Sequence, residues 1–132
     1  TLFVELKEES IEHFGRETVL SKVCEVLQPI SPRAILISFD YDIIENARNQ
    51  DWPQVGVVLR NWQNIDSSQV MAIAGEYTFV NHGIIPADRD LCKLSTKLVA
   101  YEVATIELAR KLRAQKVEML ETFDIAGLLV NS

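Results

Sequence analysis

The sequence predicts an α/β fold, with strands and helices alternating in a single domain over residues 1–132. Three observations predict it. Short apolar runs recur six times, most of them followed by a segment of helical pattern. Spread over 132 residues, the repeat averages about 22 residues, the length of a βα unit. Two of the runs, Ala34-Ile35-Leu36-Ile37 and Val55-Gly56-Val57-Val58-Leu59, carry no polar side chain, as in parallel strands covered on both faces. An open doubly wound sheet and part of a (β/α)8 barrel both fit; a closed barrel needs eight such units.

Each element has its own warrant. Leu2-Phe3-Val4 is apolar and leads into Glu5-Leu6-Lys7, so residues 2–7 read as a strand. Residues 10–27 read as one helix, with Ser10 as N-cap and an apolar stripe of Val19, Leu20, Val23, Val26 and Leu27. Pro29 and Pro32 bracket a loop before the second strand at 34–38. Asp40 opens a helix that runs to Arg48, and Pro53 breaks the chain before the third strand at 55–59. Residues 67–74 read as a short helix, and Tyr77-Thr78-Phe79-Val80 as a strand ending in Asn81-His82-Gly83. Beyond Pro86, residues 88–95 read as a poor helix. A strand follows at 98–103, then an amphipathic helix at 105–115 with Ile106, Leu108, Ala109 and Leu112 inward. The last strand is read at 117–121 and a final helical turn or two at 124–130.

Composition narrows the function classes. Hydrophobic residues make up 48% and charged residues 24%, the balance of a soluble globular domain. The net charge of −6 argues against a nucleic-acid or anionic-membrane surface, both of which reward clustered Lys and Arg. It leaves room for a small anionic substrate, which needs only one or two local cations or a metal. No apolar run is long enough to span a bilayer, so no membrane insertion is expected. Cys24 and Cys92 fit no metal spacing, and Cys24 reads as a buried free thiol within a helix. No Gly-rich strand-to-helix loop is present, which weighs against a doubly wound phosphate-binding domain.

In either architecture the working face lies at the carboxyl ends of the strands. The polar residues there are Glu5 and Lys7, Ser38 and Asp40, Arg60, Asn81 and His82, Glu102, and Glu121 with Thr122. Glu5 and Lys7 are two residues apart and so share one strand face, where opposite charges are costly to bury unless they serve a site. Asp40 is well placed to cap the next helix, and Arg60 reads as a solvated loop charge. Trp52 and Trp62 read as packing residues, although Trp62 follows a strand end where it could wall a pocket. A ring of carboxylates with one lysine has the composition of a site for a hard metal and a phosphate.

Six segments together resemble the bacterial, cytoplasmic-type glycerophosphodiester phosphodiesterases. Phe3-Val4-Glu5-Leu6-Lys7 resembles that family's third-strand motif, and Ile35-Leu36-Ile37-Ser38-Phe39-Asp40 its next strand. Val55–Leu59 followed by Trp62, Phe79-Val80-Asn81-His82, Ala100-Tyr101-Glu102-Val103 and Val117–Thr122 follow in the same order. The resemblance implies a (β/α)8 barrel of which this chain supplies strands three to eight, with the first two expected outside this sequence. It implies Glu5 as a ligand of a divalent metal, Mg2+ or Ca2+, and Lys7 as the phosphate-binding cation. Ser38, Asn81, His82, Glu102 and Glu121 would line the pocket. The family's catalytic histidines have no candidate here, so no catalytic residue is assigned to this chain. The implied reaction of the complete, cytoplasmic protein is hydrolysis of a glycerophosphodiester to glycerol 3-phosphate and an alcohol, while this chain alone is expected to be inactive. The alternative is a non-catalytic truncated barrel that serves as a binding or self-association module. Its open edges and partly exposed interior would then call for self-association or for the missing strands. The family's aromatic-Thr-Val-Asn motif here reads Tyr101-Glu102-Val103-Ala104, and its Thr-Asp reads Thr122-Phe123. The usual glycine before the last strand is absent from Ala114-Gln115-Lys116-Val117, removing a favoured left-handed helix stop.

Overall fold

A computed structural model describes residues 1–130. Six strands, β1 (Leu2–Glu5), β2 (Ala34–Ser38), β3 (Val55–Leu59), β4 (Tyr77–Asn81), β5 (Lys97–Tyr101) and β6 (Met119–Leu120), form one parallel sheet. Their order in the sheet is their order in the chain. That order has no reversal point, which excludes the doubly wound alternative. The registers also drift steadily. Glu5 at the end of β1 aligns with Ile37, Ile37 with Gly56, Gly56 with Tyr77, and Tyr77 with Lys97 at the start of β5. A row that begins at one strand's carboxyl end and finishes at another's amino end is the stagger of a tilted, curling barrel sheet.

The curl gives the sheet an inner and an outer face. The outer face carries Leu36, Val57, Leu59, Val80, Leu98 and Ala100, and packs under the helices. These are α1 (Glu8–Phe14), α2 (Arg16–Leu27), α3 (Tyr41–Asn49), α4 (Ser68–Ile73), α5 (Ile106–Ala114) and α6 (Ile125–Val130). The inner face carries Ile35, Ile37, Val58, Phe79 and Val99, flanked by Phe3, Phe39, Tyr77 and Tyr101. The expected exposure of the interior is confined to its flanks: none of the five central residues is more than 6% exposed, and the four flanking rings are partly buried. Phe3 of β1 reaches across to β4 and meets Tyr77 edge-on at 5.0 Å and Phe79 at 5.1 Å. Gly56 lies in the wall between them. A Cβ there would stand 2.7 Å from the Tyr77 carbonyl oxygen, so only glycine allows β3 and β4 this approach.

Several element boundaries differ from expectation. The helix read at 10–27 is two helices, because Gly15 adopts a left-handed φ of 85° that no helix accommodates. Ser10 is therefore inside α1, and the residue before the helix is Lys7. Val26, read into the apolar stripe, is 65% exposed, while Leu20 is buried. Residues 88–95 hold only a short 3-10 turn, Leu91–Lys93, capped by Asp90. The last two strands are shorter than read, β5 stopping at Tyr101 and β6 having two residues.

Of the two caps read from the sequence, Asp40 holds and Ser10 does not. Asp40, Ser67 and Thr105 each accept a hydrogen bond from the backbone N–H three residues on. Asp40 does more: Arg16 of α2 donates to both its carboxylate oxygens, at 2.9 and 3.1 Å from Nε and 2.9 Å from Nη2. That pairing holds the Asp40 carboxyl below its ordinary value, against the opposing effect of burial and with help from the Ile43 N–H. A carboxylate whose folded value is depressed stabilises fully above its unfolded value, about 3.9, and loses that contribution as pH falls through the folded one. Stability measured by urea unfolding is therefore expected to decline below about pH 4, and Asp40→Asn to flatten part of that decline. Asp40→Ala also removes the cap and should cost about 1–2 kcal/mol at neutral pH; an unchanged midpoint would refute the role.

The missing glycine stop has a direct outcome. Lys116 takes the left-handed conformation itself, with φ 72°, and donates its N–H to the Arg113 carbonyl while Val117 donates to Leu112. This is a complete Schellman stop carrying a lysine where glycine is favoured. Lys116→Gly is expected to raise stability by about 1 kcal/mol, the steric cost of a left-handed side chain. A lower unfolding midpoint in the variant would contradict that account.

At the opposite, amino-terminal face of the sheet, Arg48 closes the base of the fold. Its guanidinium donates to the Ile73 and Ala74 carbonyls that end α4 and to both oxygens of Glu76, which in turn accepts from the Val55 N–H. Polar groups of this kind on the amino-terminal face are stabilising in a barrel, leaving chemistry to the other end.

Candidate functional site

The carboxyl end of the sheet gathers charge on the inner face. Side chains alternate across a strand, so Glu5 follows Phe3 inward, Phe39 follows Ile37, Arg60 follows Val58, Asn81 follows Phe79, and Tyr101 follows Val99. Glu121 aligns with Tyr101 by the Val99–Met119 register. The inner layer thus changes from apolar to polar at the ends of β1, β3, β4 and β5, while β2 ends in the Phe39 ring.

Glu5 and Lys7 are brought together as expected. The Lys7 ammonium donates to Glu5 Oε2 at 2.8 Å. The pair is not buried, however: Lys7 is 62% and Glu5 30% exposed at the side chain. The anticipated burial cost is therefore small, since water screens both charges. The Glu5 hydrogen bond and charge push the Lys7 pKa up, as do the nearby charges of Glu9 and Glu121. Lys7 is a firmly protonated cation at the rim.

Across the mouth, the Asn81 side-chain amide donates to Glu102 Oε2 at 2.9 Å and its carbonyl accepts from the Gly83 N–H. Glu102 has φ 62°, a strained conformation for a residue other than glycine. Its neighbour Val103 is tied to the last strand by donating to the Glu121 carbonyl. Glu121 sits beyond β6, with its N–H donating to the Ala100 carbonyl. Tyr101 records how closely these groups converge. Burial raises the phenol pKa, and the charges of Glu102, Glu5 and Glu121 raise it further, while Arg60 opposes them.

Two expectations need correction. Ser38 does not line the pocket. It is fully buried on the helix side, where its hydroxyl donates to the Leu6 carbonyl at 2.7 Å and accepts from the Asp40 N–H at 3.0 Å. Its role is to join β1 to β2 and to aim Asp40. Trp62 does not wall a pocket either; it is 7% exposed within the outer core, with Arg89 6.0 Å above its ring. His82 is half-buried and opens the 3-10 turn His82–Ile84, just past the inward-facing Asn81.

Three residues at the mouth were not singled out as site residues. Arg60 lies with its guanidinium 4.6 Å from the Phe39 ring and forms an ion pair with Glu8. Tyr101 lies among the carboxylates. Period-two alternation from the inner apolar residues would have found Arg60, Phe39 and Tyr101, had the inner face been known. A metal fits the chain less well. Among the described residues, no three histidine, cysteine or acidic side chains are placed to hold one. Glu5 offers one carboxylate, already engaged by Lys7, and the chain by itself does not make a metal site. No helix among the described residues is long and apolar enough to cross a membrane.

Comparison with solved structures shows where this architecture recurs. A phosphodiesterase of Oleispira antarctica, in complex with the product sn-glycerol-3-phosphate, matches with a TM-score of 0.76 and 19% identity, over 97% of this chain and 54% of that one. A glycerophosphodiester phosphodiesterase of Parabacteroides distasonis matches with a TM-score of 0.76 and 16% identity, over 98% of this chain and 56% of that one. The chain thus has the fold of these enzymes over about half their length. No family model and no curated protein matches the sequence.

Proposed function

We propose that this chain is about half of a glycerophosphodiester phosphodiesterase, equivalent to strands three to eight of its (β/α)8 barrel. The complete, cytoplasmic protein would hydrolyse a glycerophosphodiester to glycerol 3-phosphate and an alcohol. Water adds at phosphorus, the bond from phosphorus to the alcohol oxygen breaks, and a proton passes to the departing oxygen. The single observation that carries the reading is the Glu5–Lys7 pair, set at the carboxyl end of an edge strand on the inner face of a curled parallel half-barrel. Lys7 is the cation for the phosphate. Glu5 is one ligand of a Mg2+ or Ca2+ site whose remaining ligands, like the proton-transferring groups, come from outside this chain. Asn81, Glu102 and Glu121 form the far wall, where the alcohol portion would lie.

A titration of the chain with sn-glycerol 3-phosphate, followed by NMR, tests the phosphate assignment. Lys7→Gln is expected to weaken binding about tenfold, the scale of one charge-assisted hydrogen bond to phosphate. Equal affinity in the variant would remove Lys7 from the site.

One observation favours the non-catalytic reading. The inner apolar face is sealed by the chain's own aromatic residues, so a half-barrel of this sequence has a core without further strands. A module of that kind would interact through the backbone edges of β1 and β6.

A further inference from the structure

We infer that Arg60 is a second phosphate-binding cation, placed to share with Lys7 the anionic oxygens of a phosphate ester at the mouth of the half-barrel. The inference rests on the proposed function and adds a residue to its site. Arg60 follows the inner-facing Val58 by two positions, at the carboxyl end of β3, and so belongs to the same inner rim as Glu5 on β1. β2 lies between these strands, and its inner rim residue is Phe39. The guanidinium rests 4.6 Å from the centre of that ring. The aromatic face holds the cation over the rim by a contact that uses none of its N–H donors.

The ion pair with Glu8 fixes the direction of reach. Glu8 is the residue after Lys7, so Arg60 is drawn from β3 over Phe39 toward the end of β1. The two cations are thereby paired with carboxylates three residues apart, Lys7 with Glu5 at the end of β1 and Arg60 with Glu8 at the start of α1. Arg60 also acts inward, since its positive charge is felt by the phenol of Tyr101 on β5. Its side chain is 54% and that of Glu8 47% exposed, so an incoming anion meets this pair without crossing a barrier of packed side chains. A phosphate offers oxygens to both cations, and a guanidinium presents five donors in a planar fork suited to them. Glu8 is the resting partner that such an anion displaces.

The test uses the chain itself and sn-glycerol 3-phosphate as the probe, with binding followed by the Arg60 Nε–H resonance and backbone amides in NMR titrations. Arg60→Gln is expected to weaken binding by fivefold or more. Arg60→Lys, which keeps the charge but loses the fork, should recover only part of that loss. Glu8→Gln removes the competing carboxylate and should tighten binding two- to threefold. Arg60, Glu8 and Lys7 are all solvent-exposed, and far-UV circular dichroism of each variant confirms the fold. If Arg60→Gln binds like the unaltered chain while Lys7→Gln loses binding, the role of Arg60 is overturned and the proposed function stands. If neither substitution weakens binding, or if the unaltered chain shows no saturable binding, both are overturned.

Discussion

Incubated with glycerophosphodiesters and Mg2+ or Ca2+, the chain by itself is expected to show no turnover above the uncatalysed background. The chain has two histidines, and neither is placed as a proton-transfer group for the Glu5–Lys7 pair. His13 is exposed on α1, its ring edge-on to Phe14 at 4.5 Å. His82 opens the turn after β4, three strands from β1. Loss of a positioned general acid or base alone costs roughly 10²–10⁴-fold in rate. The carboxylates of the mouth are also too dispersed to hold a divalent ion, so calorimetric titration with Mg2+ should reveal no saturable site below the millimolar range. Turnover comparable to that of a complete phosphodiesterase would mean that the site lies elsewhere in the chain.

The second large effect concerns the seal of the inner face. Phe3→Ala is expected to destabilise the chain by about 2–4 kcal/mol, somewhat less than for a fully buried phenylalanine because Phe3 remains half-buried. It removes two edge-on ring contacts, with Tyr77 at 5.0 Å and Phe79 at 5.1 Å. Aromatic pairs of this kind add about 0.5–1.5 kcal/mol each beyond their burial. It also uncovers Ile35 and Phe79 to water. Phe3→Leu should recover most of the loss. The midpoints of urea unfolding measure both, and binding of a hydrophobic dye reports the uncovered face. A change below about 0.5 kcal/mol, the scale of an ordinary surface substitution, would show that Phe3 does not seal the interior.

The strands were readable because a parallel sheet covered on both faces writes continuous apolar runs, as at 34–37 and 55–59, while their order in the sheet was left open between two architectures. The cap at Asp40 was readable because a side-chain oxygen before a helix has a local partner, whereas Ser10 was misread because its helix starts earlier, at Glu8. The break at Gly15 was hidden because the apolar pattern runs through it, and only a positive φ reveals that the helix stops. The Glu5–Lys7 pairing was legible from the spacing of the two residues, although β1 ends at Glu5 and Lys7 is the residue before α1. Ser38 was misread because strand-end position does not say which face a residue takes, and here the hydroxyl is spent on Leu6 and Asp40. Arg60 was hidden for the converse reason. An arginine after a strand reads as a loop charge until a ring from the neighbouring strand is seen beneath it.

The unequal lengths of the two outer strands carry a final consequence. β6 has two residues and β1 has four, so one border of the sheet offers little unpaired backbone and the other offers a usable ladder. The backbone left unpaired along β1 is thus the sheet's larger template for a further strand, and it ends at the Glu5–Lys7 charge pair.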